Sequence, residues 1–454
     1  MAGGKLSIGQ KLGFGIFDLG GNMLFTLMGF WCLKYLTDVA GLAAALAGAA
    51  LMAGKVWDAV SDPLMGFISD RTITRFGRRR PYLLFGAVPM MLSMWLFFSA
   101  PAIASAVLLS FWAAGALILV NTASTVLNVP YSSLTPELTG DYHERTSLNG
   151  YRFGCAVIGT IIGAAAALPL SGALGGGRTG WSRMGLCLGA LVAAVTLITF
   201  FGTREQRLRR ADIPRGGFFA TYLSVFTNKP YVVLFLTYAL HMTGITFLQS
   251  ILVYYIQYLY PRDFSFLMLD ATTLAMVVLL FTAMLFIPVS VLVSRRIGKK
   301  RSYQICFVVI GTACLLVSAI GHLLPPAGFL LLLVYAGIGV GFSYVAPFAM
   351  IPDAVEYDAV RTGERKEGAY YGIWTFISKT GTALSVFLSG LILSAGGYEA
   401  NAVQGAGAKL AIRLIIGPLP AFIFLCAFLL IQLYTLDEKA YKKIMALDAF
   451  GSGA

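Results

Sequence analysis

The chain has 454 residues, of which 58% are hydrophobic and only 12% are charged, whereas a typical soluble domain carries about 25% charged residues. Apolar runs of about 20 residues, each long enough to cross the hydrocarbon core of a bilayer, recur along its whole length. These features exclude a soluble globular protein and predict an all-α membrane protein. The net charge of +13 does not indicate nucleic-acid binding, because the basic residues fall in alternate loops between the apolar runs.

We predict about twelve transmembrane helices in two six-helix bundles. Their approximate limits are residues 12–38, 41–68, 82–101, 105–133, 147–170, 184–203, 230–258, 271–294, 303–323, 327–350, 369–396 and 408–435. The predicted domains are an N-terminal bundle (1–203), a cytoplasmic linker (204–229), a C-terminal bundle (230–435) and a cytoplasmic tail (436–454). Basic clusters follow the second, sixth and eighth spans, so the positive-inside rule places both termini in the cytoplasm. We expect a monomeric, multi-pass protein of the plasma (inner) membrane.

The first span contains FGIFDLGGNMLF (14–25), which places Asp18 and Asn22 four residues apart and therefore on one helix face. Two interpretations of Asp18 stay open. It is either part of a polar site inside the membrane or an interfacial cap near the cytoplasmic end of the helix.

The second span carries Asp58 and Asp62 close to the middle of the bilayer, again on one helix face and with Ser61 beside them. Intramembrane ionisable groups are functional candidates, because they are costly to keep there. Two carboxylates and a hydroxyl supply hard oxygen ligands suited to Na⁺, and repulsion between the carboxylates lets a proton take its place. The alternative is a structural role in which Lys55 neutralises one of the two.

The loop after the second span, GFISDRTITRFGRRRP (66–81), resembles the signature loop of the major facilitator superfamily. A similar basic loop follows the eighth span, and matching loops in two six-span halves indicate an internal duplication around a central cavity. We expect charged residues of these loops to act as gating residues by pairing across the halves: Asp70, Arg78, Arg79, Arg80, Arg295 and Arg296.

The fourth span reads NTASTVLNVPYSSL (121–134), and Thr125, Asn128 and Ser132 share one of its faces. Pro130 removes a backbone donor, so the segment is either a broken helix that lines a substrate site or a simple proline kink. In the fifth span, Arg152 lies just inside the membrane and either contributes to the site or snorkels to the surface.

The eleventh span, AYYGIWTFISKTGTALS (369–385), places Lys379 about ten residues into the membrane. A lysine at that depth requires a carboxylate or an anionic substrate group. Two partners of Lys379 are considered, an Asp of the other half or an anionic group of the substrate. Trp374 and Thr375 lie about one turn before Lys379 and complete the predicted polar set.

Other classes of function find little support in the residues. The six cysteines form no CxxC pair and the three histidines are scattered, so no metal site beyond that of a coupling cation is expected. We find no nucleophile–base pair typical of an enzyme, and we expect no cofactor, only Na⁺ or H⁺ as a coupling ion.

Four segments together resemble one family: YLTDVAGL (35–42), WDAVSDPLMG (57–66), NVPYSSL (128–134) and the region of Lys379. The chain resembles the glycoside-pentoside-hexuronide:cation symporters of the major facilitator superfamily, which include the melibiose permease and the glucuronide carrier. This resemblance implies the major facilitator fold and symport of a small glycoside or hexuronide-like solute by alternating access. It also implies that the coupling cation is bound by Asp58, Ser61, Asp62 and Thr125.

The same resemblance implies a substrate site with altered charge. The positions of the galactoside-binding carboxylates in the melibiose permease are Asn22 and Asn128 here, and that of its sugar-stacking tryptophan is Ser132. Fewer negative charges favour an anionic solute such as a uronide. The predicted substrate-binding residues are Asp18, Asn22, Asn128, Ser132, Arg152, Trp374, Thr375 and Lys379.

A second resemblance provides an alternative substrate. The segments NVPY and HERTSLNGYR (143–152) are also similar to those of the sodium-dependent lysolipid symporters. The alternative function is therefore cation-coupled transport of a lysolipid, with the same cation site.

Overall fold

A computed structural model of the protein describes residues 6–72, 74–138, 142–203, 224–260, 270–362 and 367–436. Within these ranges the chain is helical almost throughout, and the strand-like contact is an isolated bridge between Thr74 and Gly77. The predicted linker lies mostly outside the described residues, and the predicted tail almost wholly so. The two domain boundaries that depend on these segments stay predictions.

The first half of the chain forms eight helices within the described residues. They are α1 (Ile8–Gly15), α2 (Phe17–Lys34), α3 (Ala44–Arg71), α4 (Arg80–Phe97), α5 (Ala106–Leu138), α6 (Tyr142–Ala165), α7 (Ala167–Ala173) and α8 (Gly177–Gly202). The second half forms eight more in the described ranges. They are α9 (Lys229–Tyr254), α10 (Ala271–Ile297), α11 (Lys299–Ile320), α12 (Pro326–Ser343), α13 (Ala346–Thr362), α14 (Glu367–Ala395), α15 (Ala406–Ile416) and α16 (Pro418–Ile431).

Helices occupy all twelve predicted spans, which confirms the all-α fold. Among the described residues, nine helical segments are long and apolar enough to cross a membrane, and a tenth is added if the bent pair α6–α7 is one span. The two remaining predicted spans are α3 and α4. Polar residues lower their mean hydropathy, namely Lys55, Asp58 and Asp62 in α3 and Arg80 at the start of α4.

Several helices begin where the sequence supplies a cap. The side chain of Ser7 accepts a hydrogen bond from the backbone of Gln10, whose side chain reaches back in return, so α1 starts with a capping box. Asn228 caps α9 in the same way by accepting from the backbone of Tyr231, and Pro230 occupies the first turn. Local sequence therefore sets these helix starts.

Contacts between residues divide the chain into two compact units. The first contains α1 to α8, the beginning of α10 and residues 386–408. The second contains α9, the remainder of α10, α11 to α13, the first part of α14 and residues 409–431. The two units therefore follow the two predicted bundles except for short stretches of α10 and α14.

The two halves share features in the same order. The π-helix Tyr35–Val39 follows α2, and the π-helix Tyr255–Leu259 follows α9. Gly77 before α4 and Gly298 before α11 both have positive φ, at 108° and 89°, which favours glycine. Three basic residues follow each of these glycines. Shared details of this kind are what an internal duplication produces.

Close packing of α2 on α6 sets the position of the first polar site. A Cβ on Gly159 would lie 2.0 Å from the carbonyl oxygen of Leu19, and one on Gly163 would lie 2.2 Å from that of Met23. Any side chain at either glycine would therefore force the helices apart. The two glycines are four residues apart on one face of α6, and they let α6 pack closely on α2. This close packing brings Arg152 on α6 to the side of Asp18 on α2.

Candidate cation and solute sites

The hydroxyl of Thr125 on α5 lies between the two carboxylates of α3. Its Oγ1 is 2.8 Å from Oδ1 of Asp62 and 3.2 Å from Oδ1 of Asp58, both within hydrogen-bonding distance. A single hydroxyl hydrogen cannot serve both carboxylates at once. Two negative charges therefore meet at one small hydroxyl group, an arrangement that attracts a cation or a proton.

The site is buried and rich in oxygen. Oγ of Ser61 lies 3.2 Å from Oγ1 of Thr125 and 3.3 Å from the carbonyl oxygen of Asp58. Asp58, Ser61 and Thr125 are 9%, 7% and 3% exposed. The structure therefore brings together all four residues predicted to bind the cation, with carboxylate and hydroxyl oxygens of the kind that hard cations prefer.

Pro63 leaves one backbone oxygen of α3 without its usual helical hydrogen bond. A proline inside a helix has no N–H, so the carbonyl oxygen of Ala59, four residues earlier, receives no bond of the ordinary helical type. Ala59 lies between Asp58 and Asp62 on α3, which continues through Pro63 without a break. The carbonyl of Ala59 is therefore a candidate ligand that the sequence analysis did not include.

Two contacts outside the site hold α3 against α5. Nδ2 of Asn121 donates a 2.8 Å hydrogen bond to the carbonyl of Gly54, one turn before Asp58. Nε1 of Trp57 donates a 2.8 Å bond to Oγ1 of Thr122. Sequence reasoning missed both contacts. The signal for the first was present, since Asn121 and Thr125 are four residues apart, as are Gly54 and Asp58.

The structural alternative for the aspartates involved Lys55. Within the described residues, no ion pair joins Lys55 to Asp58 or Asp62. Neutralisation of the pair by Lys55 is therefore not the arrangement that the structure adopts.

A second polar cluster joins α2, α5 and α6. Nε of Arg152 donates to Oδ2 of Asp18 at 2.6 Å, and Nη2 is 3.3 Å from Oδ1, so the pair is bidentate. The hydroxyl of Tyr131 donates to the same Oδ2 at 2.5 Å, and the guanidinium lies 4.9 Å from the Tyr131 ring. Arg152 is therefore directed to Asp18 instead of snorkelling, and Asp18 binds side chains of two other helices instead of capping its own.

The two predicted asparagines lie beside this cluster. Nδ2 of Asn22 donates to the carbonyl of Asp18 at 2.9 Å, and Nδ2 of Asn128 donates to the carbonyl of Ser124 at 3.0 Å. Oδ1 of Asn128 faces α2, since it would lie 3.4 Å from a Cβ on Gly21. Both amides are partly buried and project from neighbouring helices, as a site for solute hydroxyl groups requires.

The fourth predicted span is not broken. α5 continues through Pro130 as one helix, so the proline is accommodated within a continuous helix and the broken-helix interpretation is wrong. Ser132 is exposed, and its hydroxyl donates a 2.7 Å hydrogen bond to the carbonyl of Asn128 within the same helix. Thr125, Asn128 and Ser132 keep their common face because the helical repeat is preserved.

The predicted residues of the eleventh span lie in the second unit. Trp374 on α14 is buried and stacks on Tyr238 of α9, with ring centroids 4.0 Å apart and an interplanar angle of 16°. Tyr238 therefore covers one face of the indole ring. Oγ1 of the exposed Thr375 donates to the carbonyl of Tyr371 at 3.0 Å, and Lys379 is half-buried.

The predicted gating arginines differ from one another in burial and contacts. Arg80 stacks on Phe200 of α8 and donates to its carbonyl at 2.8 Å, Arg79 is buried and Arg78 is half-buried. Arg295 and Arg296 are exposed in the last turn of α10. The side chain of Asp70 lies outside the described residues.

Another charged contact of the second unit was not anticipated. Nζ of Lys299 lies 2.6 Å from Oδ2 of Asp353 and also donates to the carbonyl of Ala349 at 2.9 Å. These bonds join the start of α11 to α13. Asp353 was a detectable signal, because it is the first carboxylate after the tenth predicted span.

Comparison with known protein families identifies the family to which this helical chain with buried carboxylates belongs. Residues 13–438 match the family described as MFS/sugar transport protein. The chain belongs to this family. It is therefore an integral membrane transporter with several spans, as the fold and the intramembrane carboxylates indicate.

Individual relatives match over nearly the whole chain. It is 27% identical to the isoprimeverose transporter of Lactiplantibacillus pentosus, over 97% of this chain and 91% of that protein. It is 26% identical to the sodium-dependent lysophosphatidylcholine symporter 1-A of Danio rerio, over 96% of this chain and 87% of the relative. The fold is similar to the crystal structure of the nucleoside transporter NupG, with a TM-score of 0.62, 16% identity and coverage of 92% of this chain and 99% of that one.

Proposed function

We propose that the protein is a symporter that couples the movement of Na⁺ or H⁺ to that of a small glycoside or hexuronide-like solute. The observation that carries this proposal is the position of Thr125 between Asp58 and Asp62 in a buried site. Carboxylates within a membrane domain are costly, and a bound cation or proton offsets that cost. The proposal is supported by the family description, which names sugar transport.

The solute is proposed to bind at the cluster around Asp18. Because Asp18 already neutralises Arg152, the pair presents polar atoms with little net charge. Asn22 and Asn128 offer amide groups to solute hydroxyls on the neighbouring helices. As a separate proposal, Lys379 of the second unit binds an anionic group such as a uronate carboxylate.

Coupling between the cation and the solute follows from the charges. A cation at Asp58 and Asp62 reduces the repulsion between the carboxylates, which shifts the protein toward the conformations that tolerate their burial. A solute that binds those conformations best then binds more tightly when the cation is present. This reciprocal coupling is what a symporter requires. We also expect cytoplasmic termini, on the basis of loop charge, and a monomer.

The test uses purified protein in liposomes with an imposed Na⁺ or proton gradient. Uptake of labelled glycosides and uronides should exceed equilibrium in the wild type. Asp58→Asn and Asp62→Asn should abolish gradient-driven accumulation yet keep the thermal stability of the wild type. Glu399→Gln, which changes an exposed carboxylate, is the matched control and should transport normally. If both aspartate variants still concentrate the solute, the proposed cation site is wrong.

A lysolipid is the second candidate substrate, because the sodium-dependent lysophosphatidylcholine symporter matches over nearly the whole chain. Both candidates use the same cation site, so that site does not distinguish them. A thermal-stability screen of glycosides, uronides and lysophosphatidylcholine, with and without Na⁺, separates the two. The true solute should raise the unfolding temperature more in the presence of the coupling cation than in its absence.

A further inference from the structure

A long groove of about 620 Å³ runs between α4 and α5, apart from the cation site and the Asp18 cluster. Along α4 its lining extends from Tyr82 to Leu96, a distance of about 21 Å at the helical rise per residue. Phe85, Leu92 and Leu119 line it and are 70%, 45% and 50% exposed. The groove is therefore long, and its exposed apolar side chains open it to the hydrocarbon of a surrounding bilayer.

The polar groups of the groove are already satisfied within the protein. The hydroxyls of Thr72, Thr74, Ser93 and Thr122 each donate to a backbone carbonyl of their own helix or turn, at 2.7–3.0 Å. Their hydrogens are therefore not available to the hydroxyl groups of a sugar. A groove of this length with satisfied polar groups fits a hydrocarbon chain, which needs no hydrogen bonds.

One end of the groove lies at the arginine-rich loop between α3 and α4. Thr72 and Thr74 line this end, and Thr74 fixes the loop by accepting from the backbone of Phe76 at 3.2 Å. Arg75, the residue after Thr74, is exposed and lies 4.7 Å from the Phe76 ring centroid. A guanidinium stacked on a ring still presents its N–H edge to an oxyanion.

We propose that the groove holds an acyl chain of an anionic phospholipid, whose phosphate lies at the arginine loop. Charge complementarity selects this occupant. The loop contributes the exposed Arg75 within a run of four basic residues (Arg75 and Arg78 to Arg80), and such a net positive charge attracts a lipid with net negative charge more strongly than a zwitterionic one. This proposal is independent of the identity of the transported solute.

The bound chain lies next to the residues that hold the cation site together. Thr122 lines the groove, and its hydroxyl accepts the bond from Trp57, the neighbour of Asp58. Thr125, one turn further along α5, faces the carboxylates. An acyl chain packed on α5 therefore lies beside the α3–α5 contact made through Thr122. Bound lipid is expected to stabilise this pair of helices.

Native mass spectrometry of the purified protein tests the proposal. The protein is incubated with an equimolar mixture of phosphatidylglycerol and phosphatidylcholine of the same chain length. The wild type should retain phosphatidylglycerol over phosphatidylcholine by about thirtyfold, as two arginines near a lipid surface predict. Leu119→Trp fills the groove and should lose the retained lipid, whereas Leu331→Trp changes an exposed leucine of α12 and should not. Leu92→Trp is a second groove variant in case Leu119→Trp does not fold.

The arginines are tested separately from the groove. Arg75→Gln/Arg78→Gln should abolish the preference for phosphatidylglycerol but keep lipid binding. The control Arg296→Gln/Arg301→Gln, at the end of α10 and the start of α11, should change neither. Equal retention of the two lipids by the wild type would overturn the proposal. So would retained lipid in both groove variants. Displacement by lysophosphatidylcholine that does not depend on Arg75 and Arg78 would assign the groove to a lysolipid chain instead, and the anionic phospholipid would be the wrong occupant.

Discussion

The hydroxyl of Tyr398 donates a 2.5 Å hydrogen bond to Oδ1 of Asp38, which lies 360 residues earlier in the chain. Asp38 also forms a 2.5 Å ion pair with Lys34, and both side chains are less than 10% exposed. Nδ2 of Asn401 donates to the backbone carbonyl of Asp38 at 2.7 Å. These contacts tie the π-helix Tyr35–Val39 to the segment that follows α14, and they surround a buried carboxylate with donors.

Removing one donor from Asp38 should destabilise this end of the first unit. Tyr398→Phe keeps the ring but removes the hydroxyl, and the loss of a hydrogen bond to a charged group costs about 1.5–3 kcal/mol. We expect a lower unfolding temperature in detergent, measured by intrinsic fluorescence. Tyr335→Phe is the matched control, because it removes an exposed hydroxyl that is 2.9 Å from Thr312. Equal shifts for the two variants would contradict a special role for Asp38.

Thr125→Val should weaken cation binding without changing the packing volume greatly. The substitution removes the hydroxyl oxygen that lies between Asp58 and Asp62, and with it a candidate hard ligand. The cation concentration that gives half-maximal uptake should rise by about tenfold, which corresponds to the loss of about 1.4 kcal/mol of binding free energy. Thr237→Val on α9, whose hydroxyl donates to the carbonyl of Val233 in its own helix, is the control and should leave this concentration nearly unchanged. An unaltered value for Thr125→Val would remove Thr125 from the cation site.

Residues on one helix were the easiest to predict from the sequence. Asp58 and Asp62 share a face because they are four residues apart, and polar residues within an apolar run are conspicuous. Thr125 was assigned to the same site from the family resemblance, and its position between the two carboxylates is known only from the structure. The predicted spans were recognisable because the hydropathy of each exceeds that of the loops around it.

Contacts between distant residues were harder to predict. The bond between Tyr398 and Asp38 depends on how α14 ends and on the π-helix after α2, and neither has a local sequence pattern. The ion pair of Lys299 with Asp353 joins helices whose separation along the chain is 54 residues. The prediction that Arg152 contacts the solute overlooked Asp18 as its partner, because the glycines that bring α2 and α6 together are informative only once the two helices are known to be neighbours.

The ion pair between Asp18 and Arg152 should behave as a unit in folding. Asp18→Asn or Arg152→Gln alone leaves a partly buried charge without its partner. In a fully buried pair this loss typically lowers the free energy of unfolding by about 3–5 kcal/mol. The 16–23% exposure of these side chains makes the expected loss smaller. The double variant Asp18→Asn/Arg152→Gln should recover much of the lost stability. Stabilities of the four proteins, measured by thermal unfolding, form a double-mutant cycle.

The same four proteins also test the function of this pair. We expect the double variant to fold but not to bind solute, because the polar site has lost both charged groups. Additive losses of stability would show that the two residues do not interact. Normal solute binding by the double variant would show that the pair is purely structural.

Lys379→Ala should distinguish charged from neutral solutes. A uronate carboxylate or a lipid phosphate that binds at Lys379 forms a desolvated charge pair, and removal of one partner typically costs several kcal/mol. The affinity for a uronide should therefore fall by about a hundredfold or more, whereas the affinity for the matching neutral glycoside should change little. Isothermal titration of the two ligands against wild type and variant measures the difference. Lys409→Ala, which removes an exposed lysine of α15, is the control and should affect neither ligand. Equal losses for both ligands in Lys379→Ala would assign Lys379 to a structural ion pair, and the solute would then be a neutral glycoside.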